Sequence, residues 1–273
     1  MSSPSTTMID RAAAYGDGVF ETIAIRNAEP RFWAAHRQRL RTSCERLGLP
    51  CPTNDELTDL LTRQIDAAAD LAEFATARLV LSAGATPRGY ARSPNRDSEV
   101  SISVFAARPV ERNLIEEGAR LRICSLRLAI QPALAGIKSL NRLEQVLARS
   151  EWDDSNTFEG LMLDTGGRLI CGTMSNVFIV KDSLLLTPEI TRCGVSGIMR
   201  AQVLQRLQEN GVTCEVRDVV PEELQTATEV FLTNSQFGVV PVRQIDKQQL
   251  RVGAVSRQVQ TLMAAAGVPE CLV

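Results

Sequence analysis

Lys138 is the residue of this sequence best suited to covalent chemistry. It follows the flexible pair Ala135 and Gly136 and precedes the apolar-periodic positions Leu140, Leu143, Val146 and Leu147, with Ser139 placed to cap a helix start. An ammonium held at the positive end of a helix and partly desolvated by Leu134 and Ile137 is disfavoured. Its pKa is therefore expected to fall towards the range in which the amine is a nucleophile. The same local pattern is also, and more commonly, that of an ordinary solvated lysine. Three further places have the chemistry to bind an anion. In GVSGIMR, Gly194 and Gly197 bracket a helix start, which would point the backbone N–H groups of Ile198 and Met199 at an anion. A plain tight turn accounts for those glycines equally well. Asn234 and Ser235 end a strand with side chains able to donate hydrogen bonds. Arg39 follows His36 on one helical face and offers a bidentate guanidinium, although an exposed arginine on a solvated face explains it too.

Elements must hold these residues, and the periodicity supplies them. Ala14–Gly18 reads as a turn, and VFETIAIRN alternates before turn residues 27–30, as in a hairpin. A helix is expected over 34–49 and another from Asn54, as N-cap, to about Ala69. ARLVLSAG and VSISVFAAR follow as strands. After the charged stretch 110–118 come strands at LRICSLRL, GLMLD, LICG, NVFIVKD and LLLTP, then an amphipathic helix ending at Asn210 and Gly211. Strands near 212–217 and 230–233 and a helix near 254–266 complete the pattern. The expected fold is thus α+β or α/β in two domains: a small N-terminal α/β domain over 1–110, a linker over 111–119, and a larger C-terminal domain of mixed sheet and helices over 120–273.

Composition narrows the function classes. A net charge of −2 gives a nucleic acid no general electrostatic encouragement, and no apolar run reaches membrane-spanning length, so neither partner is expected. Nothing near the N-terminus reads as a signal peptide. The seven cysteines are scattered without a CxxC pair, which points to a reducing, cytoplasmic setting without a zinc site. His36 is the single histidine, so a Ser-His-Asp hydrolase and a histidine-rich metal site are both disfavoured, and no metal is expected. Any difficult chemistry would come from an organic cofactor.

The segment LAGIKSLNRLEQVLARSE closely resembles the lysine segment of the fold-type IV pyridoxal-phosphate enzymes, the class IV aminotransferase family, and is most similar to its 4-amino-4-deoxychorismate lyases. The resemblance extends through HxxR, GxxGxxR, CGTMSNVF and the segment before VVPV. It implies a two-domain, homodimeric enzyme in which Lys138 carries pyridoxal 5'-phosphate as a Schiff base. It also implies that Arg39, Ile198, Met199, Asn234 and Ser235 surround the phosphate, with His36 in a structural role. Met174, Ser175 and Asn176 would contact the cofactor, and Cys171 stands where the family usually has a glutamate at the pyridine nitrogen. Arg88 and Tyr90, in PRGY, and Phe20 would face a small-molecule substrate. The implied reaction is conversion of 4-amino-4-deoxychorismate to 4-aminobenzoate and pyruvate, a step towards folate. The alternatives are a D-amino-acid or branched-chain aminotransferase of the same fold, and a descendant that binds without catalysing.

Overall fold

The computed structural model describes residues 8–86, 89–93 and 97–272 of the chain. Its contacts divide into two compact units, one comprising 1–107 with 137–141 and the other 108–136 with 142–273.

The first unit runs through β1 (Ile9–Asp10), α1 (Arg11–Tyr15), β2 (Gly18–Arg26), β3 (Glu29–Pro30), α2 (Trp33–Leu47), α3 (Asn54–Ala67), β4 (Phe74–Ser82), β5 (Ala85–Thr86) and β6 (Glu99–Ala106). An antiparallel sheet is ordered β3-β2-β4-β6, and its period-2 alternation separates two faces. Val19, Ile23 and Ile25, opposite Leu81, Ala77 and Ala75, form one face and pack with Leu40 and Cys44 of α2 and Leu57, Leu61 and Ile65 of α3. The other face carries Phe20, Arg78 and Val80, with Ser101, Ser103 and Phe105 of β6 beside them. Thr53, rather than Asn54, caps α3. Its hydroxyl accepts the Glu56 N–H at 3.3 Å and the Glu56 carboxylate accepts the Thr53 N–H at 2.8 Å.

The second unit contains α4 (Arg112–Glu116), β7 (Ala119–Leu128), α5 (Leu143–Arg149), β8 (Glu159–Asp164), β9 (Leu169–Gly172), β10 (Asn176–Lys181), β11 (Leu184–Pro188), α6 (Ile198–Glu209), β12 (Cys214–Arg217), α7 (Pro221–Gln225), β13 (Glu229–Asn234), β14 (Gly238–Ile245) and α8 (Ala254–Ala265). Its mixed sheet is ordered β12-β11-β10-β13-β14-β7-β8-β9. Successive residues of β8 and β9 enter different cores: Leu161 and Leu169 join one cluster, Met162 and Ile170 the other. Both faces are therefore covered, which is why these strands read as unbroken apolar runs. The stretch 111–119, expected as a linker, carries α4, and Ile115 is buried in the core of this unit.

Further expectations change around Lys138 and beyond β13. The helix after Lys138 begins at Leu143, with Arg142 at its N-cap, and Ser139 is buried and bridged to Val19 instead of capping a helix. Leu143, Val146 and Leu147, whose helical spacing marks one apolar face, are exposed, and Ala148 is the buried residue of that helix. The strand β14 was not expected, because Pro241 interrupts its run. The structure accommodates the proline where the ladder to β7 has not yet begun, since that pairing starts at Val242. Among the described residues no helix is long and apolar enough to cross a membrane.

Candidate active site

In the first unit, Lys138 is positioned by a short antiparallel addition to β2. Phe20 N–H donates to the Lys138 carbonyl at 3.0 Å and Leu140 N–H to the Gly18 carbonyl at 3.0 Å, flanking the Val19–Ser139 bridge. Ile137 beside it is buried. The Lys138 ammonium lies 4.3 Å from the centre of the Phe20 ring, and the Arg78 guanidinium lies 4.6 Å from the same ring. Phe20 therefore sits against Lys138. Arg78 escaped the sequence reading, although a charged residue inside the apolar run ARLVLS is a signal that such a residue has a task.

On the opposite face of β2, Glu21 is buried and gathers two groups from α2. Arg39 donates from Nε to Oε1 at 2.8 Å and from a terminal nitrogen to Oε2, and His36 Nδ1 lies 2.7 Å from Oε2. Burial alone would raise the Glu21 pKa, but the Arg39 charge and the His36 hydrogen bond outweigh it and hold the carboxyl at about 2. Burial, with the charges of Arg39 and Lys138, pulls His36 below its ordinary value against the opposing pull of Glu21. His36 is thus neutral and donates from Nδ1 to an ionised Glu21, in keeping with a structural role. Arg39, expected at a phosphate, here makes a bidentate pair with Glu21, which the sequence reading did not include.

In the second unit, the turn 173–175 joins β9 to β10. Gly172 N–H donates to the Ser175 carbonyl at 2.8 Å, and the Asn234 side chain at the end of β13 donates to the Met174 carbonyl at 2.6 Å. The Asn234 side-chain oxygen accepts the Gln236 N–H at 2.7 Å, so both ends of its amide hold the loop together. Met174 is exposed, whereas Ser175 is buried and its hydroxyl donates to Glu159 at 2.8 Å. The Asn176 amide donates to the Val195 carbonyl at 3.0 Å, and a Cβ on Gly197 would lie 1.9 Å from its oxygen, so only glycine fits before α6.

Two features suit a phosphate-bearing group. Helix α6 opens at Gly197 without a side-chain cap, and the side chains of Ile198 and Met199 are buried, leaving backbone N–H groups as their means of meeting an anion. Thr233, across the strand pair from Asn176 and on the same sheet face, has a buried hydroxyl with no hydrogen-bond partner among the described residues. Cys171 on β9 is buried, and burial pushes its thiol well above the ordinary range, partly offset by the Arg142 charge. It is therefore an uncharged group. Tyr90 is 85% exposed, its ring 5.3 Å from that of Tyr15 and its carbonyl accepting from Arg11 at 2.9 Å. Arg88 lies outside the described residues.

Comparisons with known proteins identify the family of the chain. The amino-transferase class IV family matches residues 18–245. Aminodeoxychorismate lyase of Vibrio harveyi is 35% identical over 255 residues, covering 92% of this chain and 93% of that protein. The crystal structure of 4-amino-4-deoxychorismate lyase from Pseudomonas aeruginosa is 42% identical, with a TM-score of 0.88, covering 94% of this chain and 93% of that one. The crystal structure of the branched-chain amino acid aminotransferase of Escherichia coli is 25% identical with a TM-score of 0.86, covering 98% of this chain and 91% of that one. With a family match spanning most of its length and a fold shared with these enzymes, the chain belongs to the amino-transferase class IV family.

Proposed function

We propose that this chain releases 4-aminobenzoate and pyruvate from 4-amino-4-deoxychorismate, with pyridoxal 5'-phosphate as cofactor, a step towards folate. The seating of Lys138 carries the reading: its backbone is locked to β2, its amine lies on Phe20, and a second cation, Arg78, shares that ring. The choice of lyase over aminotransferase rests on the likeness to the lyases.

By the likeness to the family, Lys138, Arg39, the amides of Ile198 and Met199, and Ser235 would hold the cofactor, joined by Thr233, with Met174 and Asn176 beside it. When bound, pyridoxal phosphate draws electron density from the carbon next to the substrate nitrogen. Lys138 would act as the base, its side-chain nitrogen taking the proton from the ring carbon that bears nitrogen. The electrons of that C–H bond become the last ring double bond as the neighbouring C–O bond breaks. Enolpyruvate departs and, protonated at carbon, is pyruvate. Arg78 supplies a guanidinium for a substrate carboxylate, and Arg88 is assigned to the other.

Incubation with enzymatically supplied 4-amino-4-deoxychorismate should yield 4-aminobenzoate and pyruvate in equal amounts. Amino-group exchange with D-alanine or branched-chain amino acids, without those products, would instead establish the aminotransferase alternative. Cys171 bears on the same choice, because an uncharged thiol cannot hold a proton on a neighbouring ring nitrogen as a carboxylate does. Cys171→Glu is expected to raise the D-alanine half-reaction relative to 4-aminobenzoate formation by about ten-fold, the worth of one charge-assisted hydrogen bond of ~1.5 kcal/mol. Both rates are to be compared at equal cofactor occupancy, and an unchanged ratio would return Cys171 to a packing role.

The reading includes a homodimer in a cytoplasmic setting. Leu143, Val146 and Leu147 present an apolar helical face that a second copy would cover, and none of the seven cysteines, all among the described residues, is in a disulfide. Sedimentation should give twice the chain mass, and aspartate at Leu143 and Leu147 should give the single chain.

A further inference from the structure

Glu159 opens β8 with no exposed surface, yet five donors converge on its carboxylate. Oε1 accepts from Gly160 N–H at 2.9 Å, Thr173 N–H at 3.1 Å and the Thr173 hydroxyl at 2.5 Å. Oε2 accepts from Met174 N–H at 3.0 Å and the Ser175 hydroxyl at 2.8 Å. All five donors are uncharged, and four belong to the three consecutive residues of the β9–β10 turn. A buried carboxylate is stable without a cation only when its lone pairs are filled in this way. The backbone is pressed close to it, for a Cβ on Gly172 would lie 2.7 Å from Oε2 and 2.2 Å from the Ser175 hydroxyl oxygen.

The turn is held from its other side by Asn234, and it runs directly into Asn176, whose amide reaches the Val195 carbonyl just before α6. Glu159 thus holds the 173–175 turn directly, and that turn is tied to Asn234 through the Met174 carbonyl and leads into Asn176, which reaches Val195. We propose that Glu159 is a positioning residue for the cofactor: its ionised carboxylate is the template on which the Thr173–Ser175 turn is set, and affinity for pyridoxal phosphate depends on that charge and not merely on filled space. The proposal rests on the pyridoxal-phosphate reading above.

Glu229 provides a matched control. It too is buried, and it accepts from Val255 N–H at 3.2 Å, Ser256 N–H at 2.8 Å and the Ser256 hydroxyl at 2.7 Å, but it lies at the end of β13 remote from Asn234, under the start of α8. Glu159→Gln keeps the volume but removes the charge and turns an N–H group towards donors. The apparent Kd for pyridoxal 5'-phosphate would be measured on cofactor-stripped full-length protein, alongside its thermal midpoint. Glu159→Gln should weaken binding at least about ten-fold, and Thr173→Val, which deletes one donor, about three-fold to ten-fold. Glu229→Gln should lower the thermal midpoint comparably while leaving Kd within about two-fold. An affinity loss in Glu159→Gln no larger than in Glu229→Gln overturns the proposal. If Glu159→Gln does not fold, Thr173→Val decides, and wild-type affinity in that variant overturns it. A wild-type protein that takes up no pyridoxal phosphate defeats the parent reading instead, which keeps the two failures apart.

Discussion

Lys138→Ala should lose at least about a thousand-fold in 4-aminobenzoate formation, because a positioned general base alone typically contributes ~10²–10⁴ and the same amine is assigned to hold the cofactor. The fold should survive. The residue is seated by its backbone, through the Lys138 carbonyl and the neighbouring Leu140 N–H, and neither bond involves the side chain. Among the contacts the substitution removes is that with the Phe20 ring, a cation–π interaction of about 0.5–2 kcal/mol. The variant should therefore unfold within a few degrees of wild type while losing turnover and the cofactor's visible absorbance. Borohydride reduction and peptide mapping give a sharp test, since the other lysines of the chain are Lys181 and Lys247. Lys181 sits at the end of β10 near Glu223, at 3.9 Å, and Lys247 lies just beyond β14. A label on either would remove Lys138 from the chemistry.

Much of the scaffold could be read from local pattern. The alternation of β2, β4 and β6 and the apolar stripes of α2, α3 and α8 report burial against elements that the sequence also announces. Failures occurred where the deciding group is distant along the chain. Ser139 looks like a helix cap because nothing near it reveals that Val19 will bridge to it, and the N-cap consequently falls at Arg142, further along than expected. Leu143, Val146 and Leu147 have helical spacing, but periodicity tells which residues share a face and not what covers it. Arg39 was legible as a guanidinium for an anion, yet the anion it meets in this structure is Glu21, eighteen positions earlier. Glu159 and Glu21 share a signal that was available: each is a carboxylate within an apolar strand, in FEGLMLD and VFETIAIR, where solvation is excluded and a dedicated set of donors is required.

Glu21→Gln should destabilise the first unit by about 3–5 kcal/mol near neutral pH, because removing one member of a buried ion pair leaves the other charge without its counter-ion. Arg39 would keep its packing on α2 and meet a neutral side chain at position 21 in place of the carboxylate. The pH dependence separates this from simple loss of packing. The Glu21 carboxyl is held at about 2 in the folded chain against an ordinary value of 4.5, so its contribution is fully present above about 4.5 and is lost as pH falls towards 2. His36 works in the same direction at higher pH: its folded pKa lies below 6.5, so the unfolded chain takes up that proton first and stability declines on acidification from about 6.5. Urea unfolding followed through Trp33, in a Trp152→Phe background, reports on the first unit, since Trp33 is anchored there by its hydrogen bond to Thr58. In that background the stability difference between protein with Glu21 intact and the Glu21→Gln variant should be widest near pH 7 and should shrink as pH falls from about 4.5 towards 2. A difference that stays constant over that range would show that Glu21 acts through shape and not charge. Phe20 and Glu21 are consecutive residues pointing to opposite faces of β2, one against Lys138 and the other gripping Arg39 and His36. Loosening Glu21 should therefore also reduce cofactor retention, through a strand that holds Lys138, the proposed base, on one side and Arg39 of α2 on the other.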